Sequence, residues 1–150
     1  MTHDPRLMST ERTLAIIKPD AIASGKSGLI FAHLQKEGFV VRAARLVRLS
    51  KAEAGAFYAV HAGRPFYPEL VEFMTSGPCM PIALERADAV AHLRTTIGAT
   101  DPAEAAAGTI RKLYAESKGR NAIHASDSVE NAKREVAFYF TEAELAGLWG

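Results

Sequence analysis

The stretch RTLAIIKPD, residues 12–20, is rich in apolar and β-branched side chains and then meets a proline. Side chains along a strand point alternately to its two faces. Leu14, Ile16 and Lys18 therefore share one face, Pro19 ends the strand, and Lys18 projects from its end. Working outward, Ser27 is a candidate cap for a helix through LIFAHLQKE that stops at Gly38, after which FVVRAARLVRL returns to strand character. KAEAGAFYAV and PELVEFM read as two short helices, and CMPIALE as a short strand. Pro81 lacks an N–H, which predicts that this strand begins late or lies at an edge. In the next helix Val90, Leu93 and Ile97 form the apolar stripe, with Arg94 beside them.

After the loop GATDPAEAAAG come TIRKLY, an irregular piece, a short strand at AIHA, and a helix from Ser128 whose Val129, Ala132, Val136 and Phe140 face the core. This order contains a β-α-β-β-α-β pattern, so the expected class is α+β. The expected architecture is a ferredoxin-like four-stranded antiparallel sheet with additional helices and a loop before the histidine segment. Residues 1–10 read as a flexible tail and 11–150 as a single domain, with the last turns near ELAGLWG assigned no state.

A chain of 150 residues can bury one core and is short for two domains. No window is apolar for long enough to span a membrane, and MTHDPRLMST lacks the basic start and apolar run of a secretory signal. Cys79 is the only cysteine, which excludes an internal disulfide; a reducing, cytoplasmic setting is expected. With 18 basic and 17 acidic residues there is no general attraction to nucleic acid or anionic lipid, so any anion specificity must be local.

SGKSG imitates a nucleotide P-loop, but that motif needs a glycine five residues before Gly25, where Asp20 stands. His33, His61, His92 and His124 show neither i, i+4 pairing nor cysteine partners, so no protein metal site is read. In GRNAIHASDS, residues 119–128, Asp127 with Glu130 reads as a box-like helix cap, which leaves His124 open between surface residue, core residue, metal ligand and covalent group carrier. Lys18, Arg94 and Arg111 are anion-binding candidates if the fold brings them together.

The blocks ERTLAIIKPDA, FYAVHAGRPFYPELVEFMTSGP, GATDP, AGTIR and NAIHASDSVENAKREVAFYF occur in one register from Glu11 to Phe140, and together they resemble the nucleoside diphosphate kinases. The resemblance implies a ping-pong transfer of the γ-phosphoryl group from a nucleoside triphosphate, ATP, GTP or another, to a diphosphate through a phosphohistidine at His124. It implies that Lys18, Arg94, Thr100 and Arg111 hold the phosphates, that Asn121 and Lys18 reach the sugar hydroxyls, and that Tyr58 lies beside the reacting group. Phe66 would stack on the base with Leu70 on its rim, giving broad base and sugar tolerance. Glu135, with Ser126 close by, would hold the imidazole through its other nitrogen and raise its basicity. Mg²⁺ would arrive on the nucleotide phosphates and water with few protein ligands. The family also implies a homo-oligomer that requires neither nucleic acid nor membrane.

Three positions depart from the family pattern: Ala125 where glycine commonly follows the histidine, Ala21 where glycine often follows the aspartate, and Ala107 where proline often precedes Gly-Thr-Ile-Arg. A left-handed backbone at Ala125 would be strained. Two other classes compete with the enzyme. A regulator that only binds nucleotide would need no intact His124 and Glu135, and a nucleic-acid module would need a basic, aromatic-lined face.

Overall fold

The computed structural model describes residues 10–147. Strand β1 spans Thr10–Ile17, β2 Val40–Ala44, β3 Met80–Ala87 and β4 Ile123–Ala125, in the order β2-β3-β1-β4, with every pairing antiparallel. Helices α1 (Pro19–Ala23) and α2 (Ser27–Lys36) link β1 to β2, while α3 (Lys51–Phe57), a 3-10 turn at Ala59–His61 and α4 (Tyr67–Met74) precede β3. Helices α5 (Ala89–Ile97) and α6 (Ile110–Tyr114) lead to β4, followed by α7 (Val129–Tyr139) and α8 (Glu142–Gly147). This is the ferredoxin-like α+β fold expected from the sequence.

Period-two alternation in β1 explains the two cores. Leu14 and Ile16 enter one with Phe57, Met74, Val136 and Phe140, while Ala15 and Ile17 enter the other with Ile30, Leu34, Leu93 and Ile97. The central strand is thus covered on both faces, and its last five residues are buried. Gly38, at φ +87°, ends α2 as predicted, in a conformation that costs a side-chain-bearing residue about 1 kcal/mol or more.

Several local expectations are corrected. β3 starts at Met80 and lies inside the sheet, so Pro81 marks neither a late start nor an edge. Its carbonyl accepts from the Arg45 N–H at 3.2 Å, just beyond the β2–β3 ladder; on that side a missing N–H breaks no ladder bond. The β2 ladder itself ends at Ala44, short of the predicted RLVRL, although Val47 bridges Cys79. Ser27 is the first residue of α2, which has Lys26 at its cap position and no side-chain cap bond. Ser128, not Asp127, caps α7 by accepting from the Asn131 N–H, and Asp127 accepts from the Asn131 side chain at 2.6 Å. Val129 is 46% exposed, whereas Ala132, Val136 and Phe140 are buried as expected. Thr10 already belongs to β1; the rest of the expected tail, residues 1–9, lies outside the described residues, as do 148–150 of ELAGLWG.

Candidate active site

The inner end of β1, the short β4 and helix α7 build the centre. His124 is the middle residue of β4, opposite Ile16 of β1, and points to the face covered by α3 and α7. One turn of sequence spacing inward from Ala132, Glu135 lies on the buried side of α7 and its Oε1 is 2.8 Å from His124 Nε2. The same oxygen accepts from Ser126 Oγ at 2.8 Å. A carboxylate accepts only, so Nε2 carries the ring proton and Nδ1 keeps its lone pair. Arg134 stands 3.7 Å from the other carboxylate oxygen.

Aromatic rings enclose the imidazole. Phe57 meets it edge-on at 5.5 Å between centroids and Tyr58 at 6.0 Å, while the Tyr58 hydroxyl is buried without a hydrogen-bond partner among the described residues. Burial pushes the pKa of His124 below its ordinary value, against the upward influence of the Glu135 hydrogen bond and charge. Lys18 and Arg111 add to the lowering. Glu135 is itself held below its ordinary value: burial opposes this, and the contacts with His124, Ser126 and Arg134 together outweigh it.

The cations come from separate elements. Lys18, just past β1, donates from Nζ to Asn121 Oδ1 at 2.9 Å, and its pKa is lowered to about 8 by burial and by Arg111, against the charge of Asp20. Asn121 donates in turn to the Thr100 carbonyl at 3.2 Å. Arg111, buried at 6% exposure, donates to the carbonyls of Gly98 at 3.1 Å, Ile123 at 2.7 Å and Asn121 at 3.4 Å, and its pKa falls to about 10 through burial and Arg94. The Arg94 guanidinium reaches the Ala125 carbonyl at 3.4 Å from the exposed side of α5. Gly98 is required where α5 ends: at φ +87°, a Cβ would lie 2.6 Å from Thr109 Oγ1.

On the α3–α4 side, Phe66 is 48% exposed and lies 5.2 Å from the His61 ring, which stacks on Tyr58 at 6.5 Å. Leu70, expected at the rim of the base, packs partly against the core under α3 and α7. Phe57 and His61 escaped the sequence reading. Phe57 carries no local mark that separates it from the other aromatics, and His61 is one of several scattered histidines. Ala125, the departure that raised the question of strain, sits in the β4 ladder opposite Ala15; the left-handed residue of this segment is Ala122, at φ +74°. Among the described residues no group of three or more His, Cys, Asp or Glu side chains could cage a metal ion.

A four-stranded ferredoxin-like sheet carrying a histidine–carboxylate pair beside buried cations defines a class of α+β proteins suited to handling phosphate groups. The nucleoside diphosphate kinase family model matches residues 11–145. The nucleoside diphosphate kinase of Chloroherpeton thalassium is 60% identical over 134 residues, 89% of this chain and 95% of that protein. That of Sorangium cellulosum is 55% identical over 139 residues, 93% and 96% of the two chains. Among solved structures, the Aquifex aeolicus nucleoside diphosphate kinase superposes with a TM-score of 0.88 at 47% identity, covering 90% of this chain and 98% of its own. The Halobacterium salinarum enzyme, solved in complex with CDP, gives a TM-score of 0.85 at 38% identity over 89% and 90% of the two chains. The chain belongs to the nucleoside diphosphate kinase family, and is therefore a phosphotransferase acting on nucleotides.

Proposed function

We propose that the chain moves the γ-phosphoryl group between nucleotides in two half-reactions through His124. The observation that carries this reading is the 2.8 Å contact of Nε2 with Glu135, which leaves Nδ1 as the nucleophile within a group of cations. Nδ1 attacks the γ-phosphorus, a P–N bond forms, and the bond from phosphorus to the β,γ-bridging oxygen breaks with its electron pair leaving on the diphosphate. No general base is needed, because the attacking nitrogen carries no proton. The ring becomes cationic as the bond forms, and Glu135, steadied by Ser126, compensates that charge through Nε2–H. A second diphosphate then reverses the step.

Phosphoryl transfer depends on alignment and charge stabilisation more than on proton transfer. Lys18, Arg94 and Arg111 would neutralise the phosphates, Thr100 would anchor them, and Tyr58 would wall the reacting group. Asn121 with Lys18 would take the sugar hydroxyls, and Phe66, half exposed beside Leu70, would stack on the base. Stacking reads no donor and acceptor pattern, which supports tolerance of all bases and of deoxyribose. Mg²⁺ would arrive as part of the substrate, carried on the phosphates and water with few protein ligands. A homo-oligomeric, cytoplasmic enzyme independent of nucleic acid completes the reading; no helix among the described residues is long and apolar enough to cross a membrane.

Incubation with γ-labelled ATP tests it. One label should appear on His124, resist alkali, be lost in acid, and chase onto any added nucleoside diphosphate; His124→Ala should take none. Label on a serine, or bound nucleotide with no label, would sink the ping-pong mechanism.

A further inference from the structure

Two residues before His124 the backbone does something costly. Ala122, fully buried, sits at φ +74°, and the Ile123 N–H donates to the Asn121 carbonyl at 2.9 Å, closing a three-residue turn around it. An L-residue pays roughly 1–3 kcal/mol for such a conformation, which persists only where its surroundings over-determine it. Two contacts do so here. The Lys18 N–H donates to the Ala122 carbonyl at 2.8 Å, and Asp20 Oδ2 accepts the Ala122 N–H at 3.0 Å.

Asp20 is an unusual residue to find there. It is 4% exposed, it follows Pro19 in the first turn of α1, and its Oδ1 is buried without a hydrogen-bond partner among the described residues. A buried carboxylate with half its acceptors unused is expensive to keep for packing alone. The turn it grips has Asn121 on one flank and His124 just beyond the other, so its angle sets the aim of both.

We infer that Asp20 is a positioning residue: by holding the left-handed turn at Ala122, it sets the approach of the His124 ring to the phosphorus and the reach of Asn121 toward the nucleotide. The inference rests on the proposed transfer through His124. Without the carboxylate, the Ala122 N–H becomes a buried donor with no acceptor, and the turn relaxes toward negative φ, rotating the start of β4. The same carboxylate supports the ammonium of Lys18 against burial and Arg111, so one side chain serves both the turn and its cationic neighbour.

The test is single-turnover phosphorylation by ATP, expressed per folded molecule from circular dichroism melts of each variant. Asp20→Ala should slow phosphorylation by about tenfold or more, the scale expected for a misaimed nucleophile. Asp20→Asn preserves volume and an acceptor oxygen, should fold, and should lose less. Glycine takes φ +74° unaided, so adding Ala122→Gly should recover a large part of the lost rate in either Asp20 background. Normal rates per folded molecule in the Asp20 variants, or no recovery from Ala122→Gly, would overturn the inference alone. Wild-type chain that takes no label on His124 would overturn the transfer mechanism, and the inference with it.

Discussion

His124 and Lys18 show how burial tunes two groups in opposite service. An imidazole is ordinarily half protonated near pH 6.5, and here burial carries its pKa lower, although Glu135 pulls upward. The upward contribution expected of Glu135 is therefore present and outweighed. Protonation of Nδ1 removes the attacking lone pair, so the acid limb of phosphorylation should lie below that of an ordinary imidazole, falling as pH drops through the lowered value. At the other end, Lys18 loses its charge as pH rises through about 8, and nucleotide affinity should decline there. Single-turnover phosphorylation at subsaturating ATP, from about pH 5 to about pH 9.5, reads both limbs. In Glu135→Gln the two upward influences on His124 weaken, so the acid limb should move to still lower pH while the plateau falls by about tenfold. An acid limb above the ordinary imidazole value, or one that ignores Glu135→Gln, would mean that the carboxylate does not tune the ring.

Helix α7 is the element that delivers Glu135, and its start is a matter of one hydroxyl. Ser128, at extended backbone angles, accepts from the Asn131 N–H at 3.1 Å, satisfying one of the helix's open donors. Ser128→Ala should lower unfolding free energy by about 1 kcal/mol in urea titrations and leave the phosphorylation rate of folded protein near wild type, because Ala132 and Val136 still anchor the helix. A loss of rate without loss of stability would mean that the cap, and not the packed face, aims Glu135. Asp127 and Ser128 are both capping residue types and precede the same apolar run. A difference of one residue depends on φ and ψ, which composition does not encode. Element types were more legible than element neighbours for the same reason. The β-branched period of β1 and the stripe of Val90, Leu93 and Ile97 are local signals. The interior place of Pro81 is decided by where the β2 ladder stops, a fact about another segment of the chain.

Across the whole molecule, the candidate site joins residues more than a hundred positions apart, as Lys18 and Asn121 show. The family resemblance assigned roles to most of these residues, whereas Asp20, Phe57 and His61 lie inside the same motif blocks without a role, and their contacts with Ala122, His124 and Phe66 exist only in the fold. A net charge of +1 with Lys18, Arg94 and Arg111 gathered at one place predicts local, not general, anion binding. A ligand that bridges such distant segments binds the folded state alone, and should stabilise it by about 2.7 kcal/mol at a hundredfold excess over Kd. Phe66 separates ligand binding from folding, because its ring is half exposed and lies against His61 and not in either core. Phe66→Ala should therefore melt close to wild type without ligand. Loss of about 2 kcal/mol of base stacking weakens Kd about thirtyfold, so the same ligand concentration then contributes only about 0.8 kcal/mol. Thermal melts with ADP, GDP, CDP and UDP should show this reduced shift for each of the four. A reduction confined to the purines would mean that the pyrimidines are held by other contacts, and tolerance of all bases would then not rest on one stacking face.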